Sequence, residues 1–278
     1  MDFIRHHLLA IAAVAVVLLI TFFIALRVWG SWYDEWSGYN AENSVSDGVC
    51  NIAVVRVEGD IVSFASENER PQYTMAIGDD VVGFISRAEA DWGIEGVLVQ
   101  IDSYGGIMSA ASEVTDRIQA LTIPNAAYIR EAGASAAYLI ASGADTIVTT
   151  PFADVGSIGV TMSYVEQTRQ NEDTGLDFVP LSSGKYKDYG NPNRELTDEE
   201  RSLFERDLEM FHKAFVSRIA ANRNLSVEEV SALADGSSVP GELALEKKLV
   251  DAVGNKETVR TWFAEQLDIP VEEVIFCE

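Results

Sequence analysis

Histidine is scarce in this chain. There are three in 278 residues, and two of them, His6 and His7, stand in front of an apolar run at the amino terminus. His212 is then the only imidazole left for a folded domain, so Ser-His and Cys-His machinery has almost nothing to be built from. Cysteine is nearly absent as well. Cys50 and Cys277 have neither a C-x-x-C nor a metal-ligand spacing, so no metal is expected, and their separation in sequence leaves a disulfide open. Positive charge is short too: 20 basic residues face 44 acidic ones, for a formal charge of −24. That balance argues against nucleic acid as a partner. The acid is spread along the chain instead of forming a tail, which reads as a solvated acidic surface or, more sharply, as a surface suited to high salt. No internal repeat or low-complexity block occurs, and no nucleotide or organic cofactor is implied.

A long hydrophobic run, by contrast, is present. Leu8 to Leu26 is uncharged and apolar apart from Thr21, close to the ~20 residues that cross a hydrocarbon core as a helix. Arg5 and the two histidines precede it and Asp34 and Glu35 follow, so the charge asymmetry puts the amino terminus in the cytoplasm and the domain outside the membrane. Trp29, Trp32 and Tyr33 suit an interfacial belt. A cleaved signal peptide is the competing reading; the length of the run and the bulky Val28 to Trp32 speak against it. The expected organisation is a cytoplasmic tip and transmembrane anchor over 1–30, a linker over 31–49 and one domain over 50–278, whose size needs no disulfide scaffold.

Within the domain, apolar strands alternate with helical spacing. Asn51 to Val62 is a β-branched run, Met75 to Ala90 has helical period, and Gly96 to Ile101 is a buried strand ending at Asp102. Ile107 to Leu121 is helical, Asn125 to Ile129 returns to strand, Ser135 to Ser142 is helical and Thr146 to Thr149 is strand. This is the pattern of right-handed βαβ units, hence an α/β fold with a largely parallel sheet. The last third is more helical: Thr197-x-x-Glu200 and Ser226-x-x-Glu229 are capping boxes, and Phe204, Leu208, Phe211, Phe215 and Ile219 form one stripe. His212 lies on the shoulder of that stripe and reads as a packed or half-exposed residue.

Three segments carry possible chemistry. Ser103-Tyr104-Gly105-Gly106 joins a strand to a helix; paired glycines there allow N–H groups to face a cleft and hold an oxyanion, although any tight βα turn uses glycine. Gly133-Ala134-Ser135-Ala136-Ala137-Tyr138 places a serine among small residues at a helix start, either as a nucleophile or as an ordinary N-cap. Ser183-Gly184-Lys185-Tyr186-Lys187-Asp188 offers lysines; to serve as a base one must be neutral, which needs local burial strong enough to overcome the acidic field. Taken alone, each lysine reads as an exposed loop residue.

In this order and with this texture, the segments resemble the signal peptide peptidase A family of Ser-Lys membrane proteases, of the ClpP/crotonase superfamily. The resemblance runs from about Asn51 to Gly254 and includes Gly156-Ser157-Ile158-Gly159-Val160, Gly241-Glu242-x-Ala244 and Leu249-Val250-Asp251. It implies a ClpP/crotonase-like spiral of βαβ units and a serine endopeptidase that cuts peptides such as signal-peptide remnants. It also implies Ser135 as nucleophile, Lys187 as general base, Ser157 as the hydroxyl orienting the lysine, and the Gly105, Gly106 and Ala136 amides as oxyanion hole. Single-length members of the family assemble as homo-oligomeric rings in which serine and lysine come from neighbouring subunits. Tyr104 departs from the usual proline, Ala136 and Ala137 from common glycines, and Lys248 from a glycine; none of these changes removes a reacting atom. A crotonase-like acyl-thioester enzyme and an inactive oligomeric membrane scaffold are the alternatives on the same fold.

Overall fold

Gly59 decides how the first β-branched run is used. It takes a left-handed turn (φ 72°), and a Cβ there would fall on the Thr74 carbonyl. The run therefore divides into β1 (Ile52–Glu58) and a short β2 (Asp60–Val62), which recruits β3 (Met75–Ile77) as a parallel partner. The helical period expected from Met75 thus starts only at Gly78, because strand pairing claims the three residues before it. The computed structural model describes residues 21–29, 44–66, 68–70, 72 and 74–277. In chain order there follow α1 (Gly78–Ala90), β4 (Gly96–Ser103), α2 (Met108–Gln119), β5 (Asn125–Ala134), α3 (Ala136–Ser142), β6 (Thr146–Thr149), β7 (Asp154–Gly156) and α4 (Thr168–Thr174). The carboxyl-terminal part holds α5 (Asp198–Arg223), α6 (Val227–Ser231), β8 (Ser238–Pro240), α7 (Gly241–Glu246), β9 (Ala252–Val253), α8 (Lys256–Leu267) and β10 (Phe276–Cys277).

The main sheet runs β10-β1-β4-β5-β6-β9, all parallel, and β7 pairs with the far end of β5 and antiparallel with β8. Alternation along each strand sorts two cores. Val55, Val57, Val99, Ile101, Ala127 and Ile129 pack under α1, α2, α3 and the second half of α5, while Ile52, Val54, Leu98 and Ala126 meet Val259 and Phe263 of α8. The α/β expectation is met by this mostly parallel sheet, covered on both faces.

Cys50 and Cys277 are joined in a disulfide, with Cα atoms 5.2 Å apart, beside the register pair Ala53 and Cys277 of β1 and β10. Among the described residues no helix is long and apolar enough to cross a membrane. The expected span from Leu8 to Leu26 lies outside them, except for residues 21–26 of a helical segment over 21–29.

Candidate active site

β5 changes partners on its way to Ser135. Ala126 to Ile129 pair with β6, whereas Ala132 to Ala134 pair with Asp154 to Gly156 of β7. The strand then turns sharply into α3 at Ser135, which has φ 54° and ψ −123°, a conformation that costs a non-glycine residue of order 1–3 kcal/mol and recurs where a nucleophile is presented. Its own N–H donates to the Gly156 carbonyl at 2.7 Å. The hydroxyl does not cap the helix and makes no hydrogen bond among the described residues, so the ordinary N-cap alternative fails. Ser135 is half-buried, and Ala134, Ala136, Ala137 and Tyr138 around it are buried.

The Gly105-Gly106 turn lies against that serine. Both residues have positive φ, 113° and 150°. A Cβ on Gly105 would stand 2.9 Å from the Ser135 Cβ and 3.0 Å from the Ala136 nitrogen. Gly106 is held edge-on to β2, with the Ile61 N–H donating to the Gly105 carbonyl and the Ile107 N–H to the Ile61 carbonyl. Of the three amides expected in an oxyanion hole, that of Gly105 donates to the Ser103 hydroxyl at 3.0 Å. Those of Gly106 and Ala136 have no partner among the described residues. The Gly106 and Ala136 amides are thus left as donors, whereas that of Gly105 is engaged by Ser103.

Ser157 is the residue after the last rung of the β5–β7 ladder, Ala134–Gly156, as Ser135 is on the other strand; it too has positive φ (48°). Its hydroxyl donates to the Gly236 carbonyl at 2.9 Å, which leaves its oxygen lone pairs as acceptors.

Lys187 lies in the turn before α5, where its backbone N–H donates to the Gly184 carbonyl. It is exposed, and its amine makes no hydrogen bond or ion pair among the described residues. The burial required of the base is not supplied by the described residues of its own chain. The loop itself is firmly held: Asp188 accepts from Asn191, and Arg194 bonds the Asp188 carbonyl (2.8 Å) and both carboxylate oxygens of Glu200 (2.8 and 2.5 Å). The pair of hydrogen bonds from Arg194 holds the Glu200 carboxyl well below the usual range, at about 2. Tyr189 stacks on Phe204 of α5 at 4.9 Å. Arg194 and the second role of Glu200 escape a sequence reading, because the capping box accounts for Glu200 on its own. Around the loop, Leu176, Val179 and Leu181 are exposed, Leu181 at 94%. His212 is half-buried on α5, away from the α3 turn in sequence and without a hydrogen bond among the described residues.

Among known proteins, the pattern of peptidase family S49 matches residues 117–270. Over 87% of its length the chain is 30% identical to a Methanocaldococcus jannaschii protein provisionally named as a protease, spanning 79% of it. It is 29% identical over 78% of its length to an Enterococcus faecium protein provisionally named signal peptide peptidase SppA, and spans 64% of that relative. A solved serine-to-alanine mutant of the 1510-N membrane-bound stomatin-specific protease shares the fold with a TM-score of 0.50, at 19% identity, covering 81% of this chain and 90% of that one.

Proposed function

The chain belongs to peptidase family S49, a family of serine peptidases, and from that premise we propose that it is a Ser-Lys endopeptidase with Ser135 as nucleophile and Lys187, from a neighbouring copy, as general base. One observation carries the reading: a strained serine whose hydroxyl makes no hydrogen bond among the described residues, packed against the Gly105-Gly106 turn at the start of α3. In the proposed course Ser135 attacks a peptide carbonyl, the Gly106 and Ala136 amides hold the oxyanion, Lys187 takes the serine proton and gives it to the leaving amine, and water then releases the acyl group. Ser157 supports this course. Its proton is committed to Gly236, so its oxygen accepts an N–H from the lysine and leaves the amine lone pair for Ser135.

Assembly supplies what one chain lacks. A ring of ClpP/crotonase type would cover Leu176, Val179 and Leu181 and desolvate the adjacent Lys187, which favours the neutral amine. The apolar run from Leu8 to Leu26 anchors the proposed enzyme, with the peptidase domain outside the cytoplasmic membrane, and its proposed substrates are peptides such as signal-peptide remnants. A crotonase-like role needs the amide pair but no strained serine, so the φ of Ser135 favours the peptidase.

The expected outcome is that Ser135→Ala and Lys187→Ala each abolish cleavage of a labelled peptide while leaving thermal unfolding unchanged. Full activity in either variant refutes the assignment.

A further inference from the structure

We infer that Asp102 is a positioning residue for Ser135, acting by locking the irregularity in β5 that delivers the nucleophile. The inference rests on the peptidase reading above. Between β4 and β5 the register runs Ile101 to Ile129 and then Ser103 to Gly133, so β5 carries two more residues than β4 across the same step. Such a bulge redirects a strand. Here it falls where β5 leaves Thr149 of β6 and takes up Asp154 of β7. The bulge leaves the Glu131 N–H outside the ladder, and Asp102 Oδ1 accepts it at 2.8 Å. Asp102 Oδ2 is buried and accepts no hydrogen bond among the described residues, although the Arg130 guanidinium stands 2.5 Å away as an ion pair.

The same residue reaches the oxyanion turn. The Asp102 carbonyl accepts from Gly59 at 3.0 Å, and the next residue, Ser103, donates to the Gly59 carbonyl and accepts from Gly105. One aspartate thus ties the strand that ends at Ser135 to the turn that holds Gly105 and Gly106. Its side chain is only 13% exposed, and no reacting atom is assigned to it; it acts through the bulge. With the bulge unpinned, Ala132 to Ala134 are free to shift against β7, and a displacement near 1 Å at a reacting group costs about 100-fold in rate.

The experiment compares the full assembled chain with Asp102→Ala and Asp102→Asn in peptide hydrolysis, in serine-directed phosphonate labelling and in amide exchange at Glu131. For Asp102→Ala the expected result is a fall in kcat of about 100-fold, with KM within about threefold. Labelling of Ser135 slows in step, and exchange at Glu131 is faster. Asp102→Asn retains an oxygen acceptor for the Glu131 N–H, and activity returns to within about tenfold of wild type. Where the alanine variant does not fold, Asp102→Glu, which keeps the charge but displaces the acceptor, carries the same expected loss of kcat. A wild-type kcat in the alanine or glutamate variant overturns the inference, as does a loss confined to KM or an asparagine variant as impaired as the alanine one. Absence of label at Ser135 in the wild type would instead sink the peptidase reading. Labelling at equal rates in wild type and variant removes only the role of Asp102.

Discussion

At Gly106 a single added methyl group has a definite consequence. A Cβ there would fall on the Ile61 carbonyl, and φ is 150°. Gly106→Ala is expected to lower stability by about 1–3 kcal/mol through strain and displacement of β2, and to remove peptidase activity with it. Gly83→Ala in α1, whose new methyl meets nothing closer than the Arg87 guanidinium at 3.6 Å, is expected to raise stability by up to about 1 kcal/mol. Thermal unfolding of the two variants checks both; equal behaviour contradicts the geometry described. The glycine pair and the small-residue setting of Ser135 are legible in the sequence, since those residue types are chosen by backbone clearance. The positive φ of Ser157 and of Lys248 (59°) is not, because neither side chain announces it; Lys248 stands where the resembled family has glycine, which suits that conformation. Nor does any motif reveal that Ser103 engages the Gly105 amide.

The element that matters most beyond β5 is the turn carrying Lys187 with the first turn of α5. Its anchor is ionic, through Arg194 and the depressed Glu200 carboxyl. A carboxyl with a lowered folded pKa stabilises fully above its unfolded value near 4.5 and loses that contribution as pH falls toward about 2. Wild-type unfolding temperature is therefore expected to decline over that acid window more steeply than that of Glu200→Gln, which should also be less stable at pH 7. Parallel curves for the two proteins would contradict the role given to Glu200. Both capping boxes were readable, and both form. The apolar stripe on α5 was readable only in part: Phe215 and Ile219 are buried, whereas Phe211 is 56% exposed. Periodicity tells which face is apolar, not whether the same chain covers it.

For the whole molecule, alternating texture specified a parallel α/β sheet, because buried parallel strands read as continuous apolar runs. The transfer of β5 from β6 to β7 and the closure of the sheet edge by β10 were illegible: short pairings of two or three residues leave no period. The Cys50–Cys277 bond belongs to that closure. It pins the last strand to the first across a separation of 227 residues, a long loop of the kind whose cross-link restricts the unfolded chain most. It also suits the oxidising side of a membrane proposed for the domain. Assembly is the scale at which the catalytic proposal stands or falls, since the Ser135 hydroxyl and the Lys187 amine share no hydrogen bond among the described residues. The decisive measurement is peptidase activity after Ser135→Ala and Lys187→Ala subunits, each inactive alone, are dissociated, mixed and reassembled. Head-to-tail contacts between unlike subunits then restore intact pairs at about a quarter of the interfaces, and activity of that order returns. A mixture that forms rings of normal size and stays inactive contradicts the shared Ser135–Lys187 site.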